Sequence, residues 1–300
     1  MHSAPVISIV ICTYNRGKQL NDMLVSLKQS VDLVDRGKYE VIVIDNNSSD
    51  DTRKIVEKAN DDMSIHYVFE KKQGLSNARN RAIQEFAGEW LLFTDDDVVI
   101  DSKWLQNYLA LISKPVDAGF IGGRIVPLWQ EPAPKWLKDE NLAFFPGLLG
   151  KYDLGADNHL LSATEPTPCG ANFAVSRSLI ELVGSFRTDL GVVGRVPARG
   201  EETEYLYRAM SQGIPGYYSG KSLCYHLVDK KIFNLQYLYR FGVQKGIAAA
   251  RMASEKPRSS WIKILDFSIR GLFQLMKGRG DRARQCLINI GIQRGIRLAE

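Results

Sequence analysis

The chain has 300 residues, of which 45% are hydrophobic and 24% charged, with a formal net charge of +5. That is an ordinary soluble composition, long enough to bury a sizeable core in one large domain or two smaller ones. It contains no uninterrupted run of about 18 apolar residues to span a bilayer. The charge is uneven: residues 251–300 hold 11 Lys/Arg against 4 Asp/Glu, which leaves the first 250 residues at −2. Cys12, Cys169, Cys224 and Cys286 lie far apart, without CxxC or metal-finger spacing, and are expected to be reduced thiols. The N-terminus shows no signal-peptide pattern, so the chain is expected to be cytoplasmic.

Val6 to Cys12 is a short β-branched run followed by Thr13, Tyr14, Asn15, Arg16 and Gly17, and then by a helical pattern through Leu20, Leu24 and Leu27. This reads as strand, polar loop, helix. Val41 to Ile44 repeats the pattern, ending in Asp45, with Ser49 or Asp50 placed to cap a helix carrying Ile55 and Val56. Ile65 to Phe69 reads as a third strand, Gly74 to Phe86 as a helix, and Trp90 to Thr94 as a further strand. Alternation at this spacing predicts an α/β fold with a mostly parallel sheet and helices on both faces. Ligands of such sheets bind beyond the carboxyl ends of the strands. Thr13 to Asn15, Asp45 and Asp95 to Asp97 all fall at such ends.

After a strand predicted over Phe120 to Val126, Pro127 to Pro168 reads as a long Pro- and aromatic-containing loop with Trp129 and Trp136 flanking EPAP. Cys169 to Val175 is expected to return as a strand, and Gly200 to Met210 as a helix with an acidic first turn. From Ile232 onward the chain is predicted to be helical and basic.

The densest chemistry lies in LLFTDDD, where an apolar strand runs into Asp95, Asp96 and Asp97. Adjacent residues on an extended strand point to opposite faces, so Asp95 and Asp97 are expected to project one way and Asp96 the other. Two oxygen donors on one face suit Mg2+ or Mn2+ shared with a phosphate; a solvated acidic turn is the other reading.

Eight ordered landmarks resemble family 2 glycosyltransferases of the GT-A fold. They are ISIVICTYNR at 7–16, VIVIDNNSSDDT at 41–52, GLSNARN at 74–80, LLFTDDD at 91–97, CGANFAVSR at 169–177, GSFRTDLG at 184–191, GEETEYLYR at 200–208, and His226. The resemblance covers roughly residues 5–230. It implies a Rossmann-like catalytic domain over 1–230, with a nucleotide-binding half near 1–125, an acceptor half near 126–230, and a helical extension over 231–300. The implied donor is a nucleoside diphosphate sugar, with UDP as the expected nucleotide. Thr13, Tyr14, Asn15, Arg16 and Asp45 are implied on the donor side, although Asp45 also suits a helix cap or Asx turn.

Arg79 is implied to fork onto the nucleotide or its phosphates, with a salt-bridged helical Arg as the other reading. Asp97 and Asp95 match the DxD metal motif, Asp96 is left for ribose or sugar hydroxyls, and His226 is implied as a late metal ligand or diphosphate contact. The family's base closes a GED-like motif; here the motif is GEE, so that role falls on Glu202 with Glu201 beside it. A single displacement by a base-assisted hydroxyl inverts the anomeric centre, so an α-linked donor would give a β-glycoside. The implied acceptor is a glycan or lipid-linked hydroxyl in polysaccharide or glycoconjugate assembly.

Trp129, Trp136, Phe144 and Phe145 fall where the family builds its acceptor region, and they equally suit packing under a loop. Gly170, Ala171 and Asn172 are expected to shape the floor of the donor-sugar pocket. Residues 261–277 separate on a helical wheel, with Lys263, Asp266, Arg270, Gln274 and Lys277 facing away from Trp261, Ile264, Leu265, Leu272, Phe273 and Met276. That face suits peripheral contact at the inner side of a membrane, the catalytic domain, or a second copy in a homo-oligomer. The competing activities are a sugar-phosphate nucleotidyltransferase, against which TYNRG stands in place of a Gly-rich loop, and an inactive carbohydrate-binding protein. No groove-reading or stacking motif for nucleic acid is present, so no nucleic-acid partner is expected.

Overall fold

The computed structural model describes residues 5–114, 117–132, 146–192, 199–229, 232, 234–253 and 260–299. Four β-branched or apolar runs become the parallel core of a sheet: β1 (Ile7–Thr13), β2 (Tyr39–Asp45), β3 (Ile65–Phe69) and β4 (Trp90–Asp95). Between them lie α1 (Gly17–Val31), α2 (Thr52–Met63) and α3 (Leu75–Glu85). β5 (Val98–Ile100), α4 (Trp104–Ile112) and β6 (Phe120–Trp129) follow. Next come α5 (Pro146–Leu149), β7 (His159–Leu160), β8 (Asn172–Ser176), α6 (Arg177–Val183), α7 (Glu201–Ser211) and β9 (Gly216–Val228). Among the described residues the strands form one sheet of order β3-β2-β1-β4-β8-β6-β9-β5, with β7 pairing on β9. The first four are parallel to one another, and β8 turns antiparallel to β4.

Alternation along β1 assigns each face its helices. Ile7, Ile9 and Ile11 enter a core with Leu20, Leu24 and Leu27 of α1 and Trp104 and Tyr108 of α4. Val10 enters the opposite core, with Ala78 and Ala82 of α3 and Tyr205 and Leu206 of α7. Strands buried on both faces are nearly continuously apolar, as VIVI is and as VISIVIC is but for Ser8, whose buried hydroxyl accepts from the Gly88 amide at 2.9 Å.

Three local expectations are corrected. Asp51 holds the cap position of α2 without a side-chain cap bond. Asp50, one residue earlier, still receives the first amide of the helix, Thr52 N at 3.1 Å, while its other oxygen accepts from Gly17 N at 3.0 Å, so only the cap position is corrected. Segment 127–168 is not one loop: β6 runs on to Trp129, Ile125 bridges to Tyr152, and α5 and β7 follow. Trp136, Phe144 and Phe145 lie outside the described residues. Strand β4 ends at Asp95, and Asp96 and Asp97 form the turn into β5. Alternation therefore does not extend to Asp97.

The chain groups into two compact units, one from Met1–Pro127, Gly150–Thr188 and Glu201–Leu227, the other from Leu128–Leu149, Asp189–Gly200 and Val228–Glu300. The second contains α8 (Leu235–Met252), α9 (Trp261–Met276) and α10 (Gly280–Ala299), with a core of Leu149, Val228, Ile232, Leu238, Phe241 and Ile288. Glycine sets the approach of α8 to α10. A Cβ on Gly246 would lie 2.0 Å from the Ile292 carbonyl oxygen, and one on Gly295 2.0 Å from that of Val243. No described helix is long and apolar enough to cross a membrane.

Candidate active site

Register brings the sequence landmarks to one rim of the first unit. Thr13 lies opposite Asp45 in the β1–β2 pairing, and Cys12 lies opposite Asp95 in the β1–β4 pairing. The loops beyond β1 and β2 are then stitched together. Asn15 takes a left-handed conformation, φ 51°, which its short amide tolerates. Its backbone N–H donates to Ser48 Oγ at 2.9 Å, and its Oδ1 accepts from the Ser49 amide at 2.7 Å. Asp45 is buried; one oxygen accepts from the Ser48 amide at 2.8 Å and the other from the Tyr67 hydroxyl at 2.8 Å. The local-turn reading of Asp45 is thus realised. Tyr14, in the loop after β1, is exposed.

The acidic turn is held by the β1 loop. Thr13 Oγ1 donates to Asp96 at 2.7 Å, and one Arg16 nitrogen spans Asp96 at 2.8 Å and Asp97 at 2.9 Å. Burial pushes the Asp96 carboxyl up to about 6, against the opposing pull of Arg16 and Thr13. Asp95 is raised too, first by desolvation and then by the charge of Asp97. His226 arrives on β9 opposite Val98 of β5, which sets its Nε2 3.7 Å from Asp97 Oδ1. Its Nδ1 is buried with no hydrogen-bond partner among the described residues.

No group of three His, Cys, Asp or Glu side chains among the described residues is arranged as a metal cluster. Asp95 and Asp97, whose charges interact, nonetheless offer carboxylate donors of the kind a hard divalent cation takes. Of the two His226 ring nitrogens, Nε2 is the one turned to this pair, 3.7 Å from Asp97 Oδ1.

Arg79 takes the form of its other reading, a salt-bridged helical Arg. Its side chain is buried on the face of α3 that also carries Ala78 and Ala82. The guanidinium lies 5.6, 5.5 and 5.7 Å from the ring centres of Phe93, Phe173 and Phe186. It donates to Glu201 at 2.5 Å and sits 3.9 Å from Glu202. An anionic partner of Arg79 thus lies within the chain, at the head of α7. Burial, followed by the neighbouring charge of Glu202, raises Glu201 to about 7 even with Arg79 against it. The Glu202 side chain is the more accessible of the two, 17% exposed against 4%.

Beneath this site Asn172 is a structural hub rather than a pocket-lining residue. Its Oδ1 accepts from Trp104 Nε1 and the Tyr108 hydroxyl, both at 2.8 Å. Its amide donates to the Arg124 and Ser222 carbonyls at 3.0 and 2.9 Å. Sequence reasoning missed this hub, the Arg16 bridge and Gly150, whose Cβ would lie 2.7 Å from the His226 ring. None of these has a local signal, since each partner is tens of residues away.

Residues 8–184 match the model of glycosyl transferase family 2. The chain belongs to this family. The glucosyl-dolichyl phosphate glucuronosyltransferase of Haloferax volcanii is 24% identical over 210 residues, which are 69% of this chain and 64% of that protein. The succinoglycan biosynthesis protein ExoM of Rhizobium meliloti is 26% identical over 261 residues, 85% of this chain and 78% of that protein. The chain thus spans a little under two thirds of the first relative's length. Among solved structures, the mannosyltransferase PcManGT from Pyrobaculum calidifontis, in complex with GDP-Man and Mn2+, superposes with a TM-score of 0.63 at 16% identity. That match covers 97% of this chain and 87% of the other. The fold is GT-A, with the parallel sheet and the C-terminal helices expected of the chain.

Proposed function

We propose that this family 2 chain transfers a sugar from a nucleoside diphosphate sugar to a hydroxyl of a glycan or lipid-linked acceptor, with inversion. The observation that carries this reading is the division of labour at the head of α7. Arg79 occupies Glu201 at 2.5 Å, which leaves the accessible Glu202 carboxylate to accept the acceptor's proton. The names of the relatives support the acceptor class, since one acts on a dolichyl-linked sugar and the other takes part in succinoglycan biosynthesis.

On the donor side, Tyr14 and the stitched loops bearing Thr13, Asn15 and Asp45 are assigned to the base and ribose. Arg16 and Asp96 are assigned to the polar groups of the donor. Asp95 and Asp97, with His226, would hold Mg2+ or Mn2+, which supplies charge neutralisation for the departing diphosphate. Arg16, already bridging Asp96 and Asp97, keeps those carboxylates oriented. The donor half is placed near 1–125 and the acceptor half near 126–230, at the cytoplasmic face of a membrane.

A screen of nucleotide sugars with Mn2+ by thermal shift identifies the donor, because a ligand bound only to the folded state raises its stability. With that donor, Glu202→Gln is expected to abolish transfer while leaving donor affinity within about twofold, since the charge lost acts on the acceptor hydroxyl. Undiminished turnover in that variant refutes Glu202 as the base. Failure of every nucleotide sugar to bind refutes the transferase reading, and favours a carbohydrate-binding protein of the same fold.

A further inference from the structure

Helix α9 leaves an apolar stripe in solvent. Ile262, Leu265, Ile269, Leu272, Phe273 and Met276 are all exposed, with Ile262 and Met276 at 81% and 79%. At 100° per residue they share one arc of the helix about 20 Å long. Within the same unit, Gly271 on the other side of α9 lies against α10, where an added Cβ would meet Cys286 at 3.4 Å. The sequence-level face is thereby revised: Ile264 is half-buried, while Ile262 and Ile269 join the open stripe.

The charge beside this stripe is net positive. Lys263, Arg270 and Lys277 follow its edge, and Asp266, the one acid of α9, is ion-paired to Arg270 at 2.8 Å. Lys277 lies against the stripe, its ammonium 4.2 Å from the centre of the Phe273 ring, a cation–π distance. Residues 260–299 contain eight Lys/Arg against two Asp. Two copies packed antiparallel through the stripe would set this cationic edge against its own image, which is repulsive. An anionic bilayer surface complements both features: acyl chains for the stripe and lipid phosphates for the edge.

We propose that α9 lies in the interface of an anionic membrane, its stripe among the acyl chains and Lys263, Arg270 and Lys277 at the headgroups. This deepens the transferase reading by placing the chain where a lipid-linked hydroxyl is presented, but it is tested independently of that reading. The full chain is floated with vesicles of phosphatidylcholine alone or mixed with phosphatidylglycerol. Flotation is expected only with the anionic vesicles, and is expected to fall as salt rises. Lys263→Gln/Lys277→Gln is expected to weaken it about 30-fold, as two lost headgroup contacts imply.

Leu265→Glu/Leu272→Glu is expected to abolish flotation, with unchanged circular dichroism. Should that variant misfold, Ile262→Ser/Met276→Ser, at the two most exposed positions, carries the same expectation. Flotation of the stripe variants equal to that of the wild type overturns the proposal. So does absence of wild-type flotation, or a wild-type dimer in sedimentation velocity that these substitutions dissociate. Donor hydrolysis in vesicle-free buffer reads the transferase separately, so loss of one leaves the other standing.

Discussion

Replacing Arg79 by Met keeps much of the buried stem and removes the cation, which leaves Glu201 without its 2.5 Å partner in a site where it is 3% exposed. Breaking one side of a buried ion pair costs about 3–5 kcal/mol. The loss of three ring contacts at 5.5–5.7 Å acts in the same direction. Glu201, already raised to about 7, is expected to escape part of the penalty by taking a proton. The deficit should therefore be larger at pH 8.5 than at pH 6, by roughly 1.4 kcal/mol for each pH unit over which that proton must be taken up. Replacing both partners, as Arg79→Met/Glu201→Leu, should recover stability, because no charge is then stranded.

Urea midpoints at constant slope measure this double-mutant cycle, with an expected coupling of about 2–3 kcal/mol. Additivity within about 0.5 kcal/mol would refute the pairing argument. Binding separates the two roles of Arg79. A positioning residue for the head of α7 leaves nucleoside diphosphate affinity nearly unchanged and lowers turnover, whereas a phosphate ligand loses affinity first.

Other perturbations test the scaffold of the same site. Gly150→Ala puts a methyl group 2.7 Å from the His226 ring at φ +65°, so it should cost about 1 kcal/mol or more in thermal unfolding and reduce turnover; unchanged melting and activity would separate Gly150 from the histidine. Asn172→Ala strands Trp104 Nε1, the Tyr108 hydroxyl and two carbonyls, for an expected loss of about 3 kcal/mol or more in urea. A loss below about 1 kcal/mol contradicts the hub. Asp96 stands near 6 in the folded chain against an ordinary 3.8, so its contribution to stability is complete below 3.8 and is lost as pH rises through about 6. Asp96→Asn should therefore lose less thermal stability than the wild type between pH 4 and pH 7, and parallel curves would show that Asp96 is not the titrating group.

The local pattern was sufficient to specify the α/β alternation. VIVI, and VISIVIC apart from Ser8, are apolar on both faces, and each run ends in polar residues, so buried parallel strands with a rim at their carboxyl ends follow from chemistry readable within a dozen residues. The eight landmarks likewise marked the acids and the GEE helix. Pairing was not legible. Arg79 gave no local signal of Glu201, 122 positions away, and only the packing of α3 against the Phe93, Phe173 and Phe186 rings brings the two together.

The turn at Asp96 and Asp97 shows the same limit at shorter range. Strand periodicity gives directions for side chains only while the strand lasts, and β4 ends at Asp95. Arg16, 80 residues earlier, then draws Asp96 and Asp97 onto one guanidinium. Sequence by itself determined which residues are acidic, apolar or helical, because those are properties of short segments. The tertiary structure decided which charge meets which, because burial strengthens a pairing only after distant strands have been brought into register.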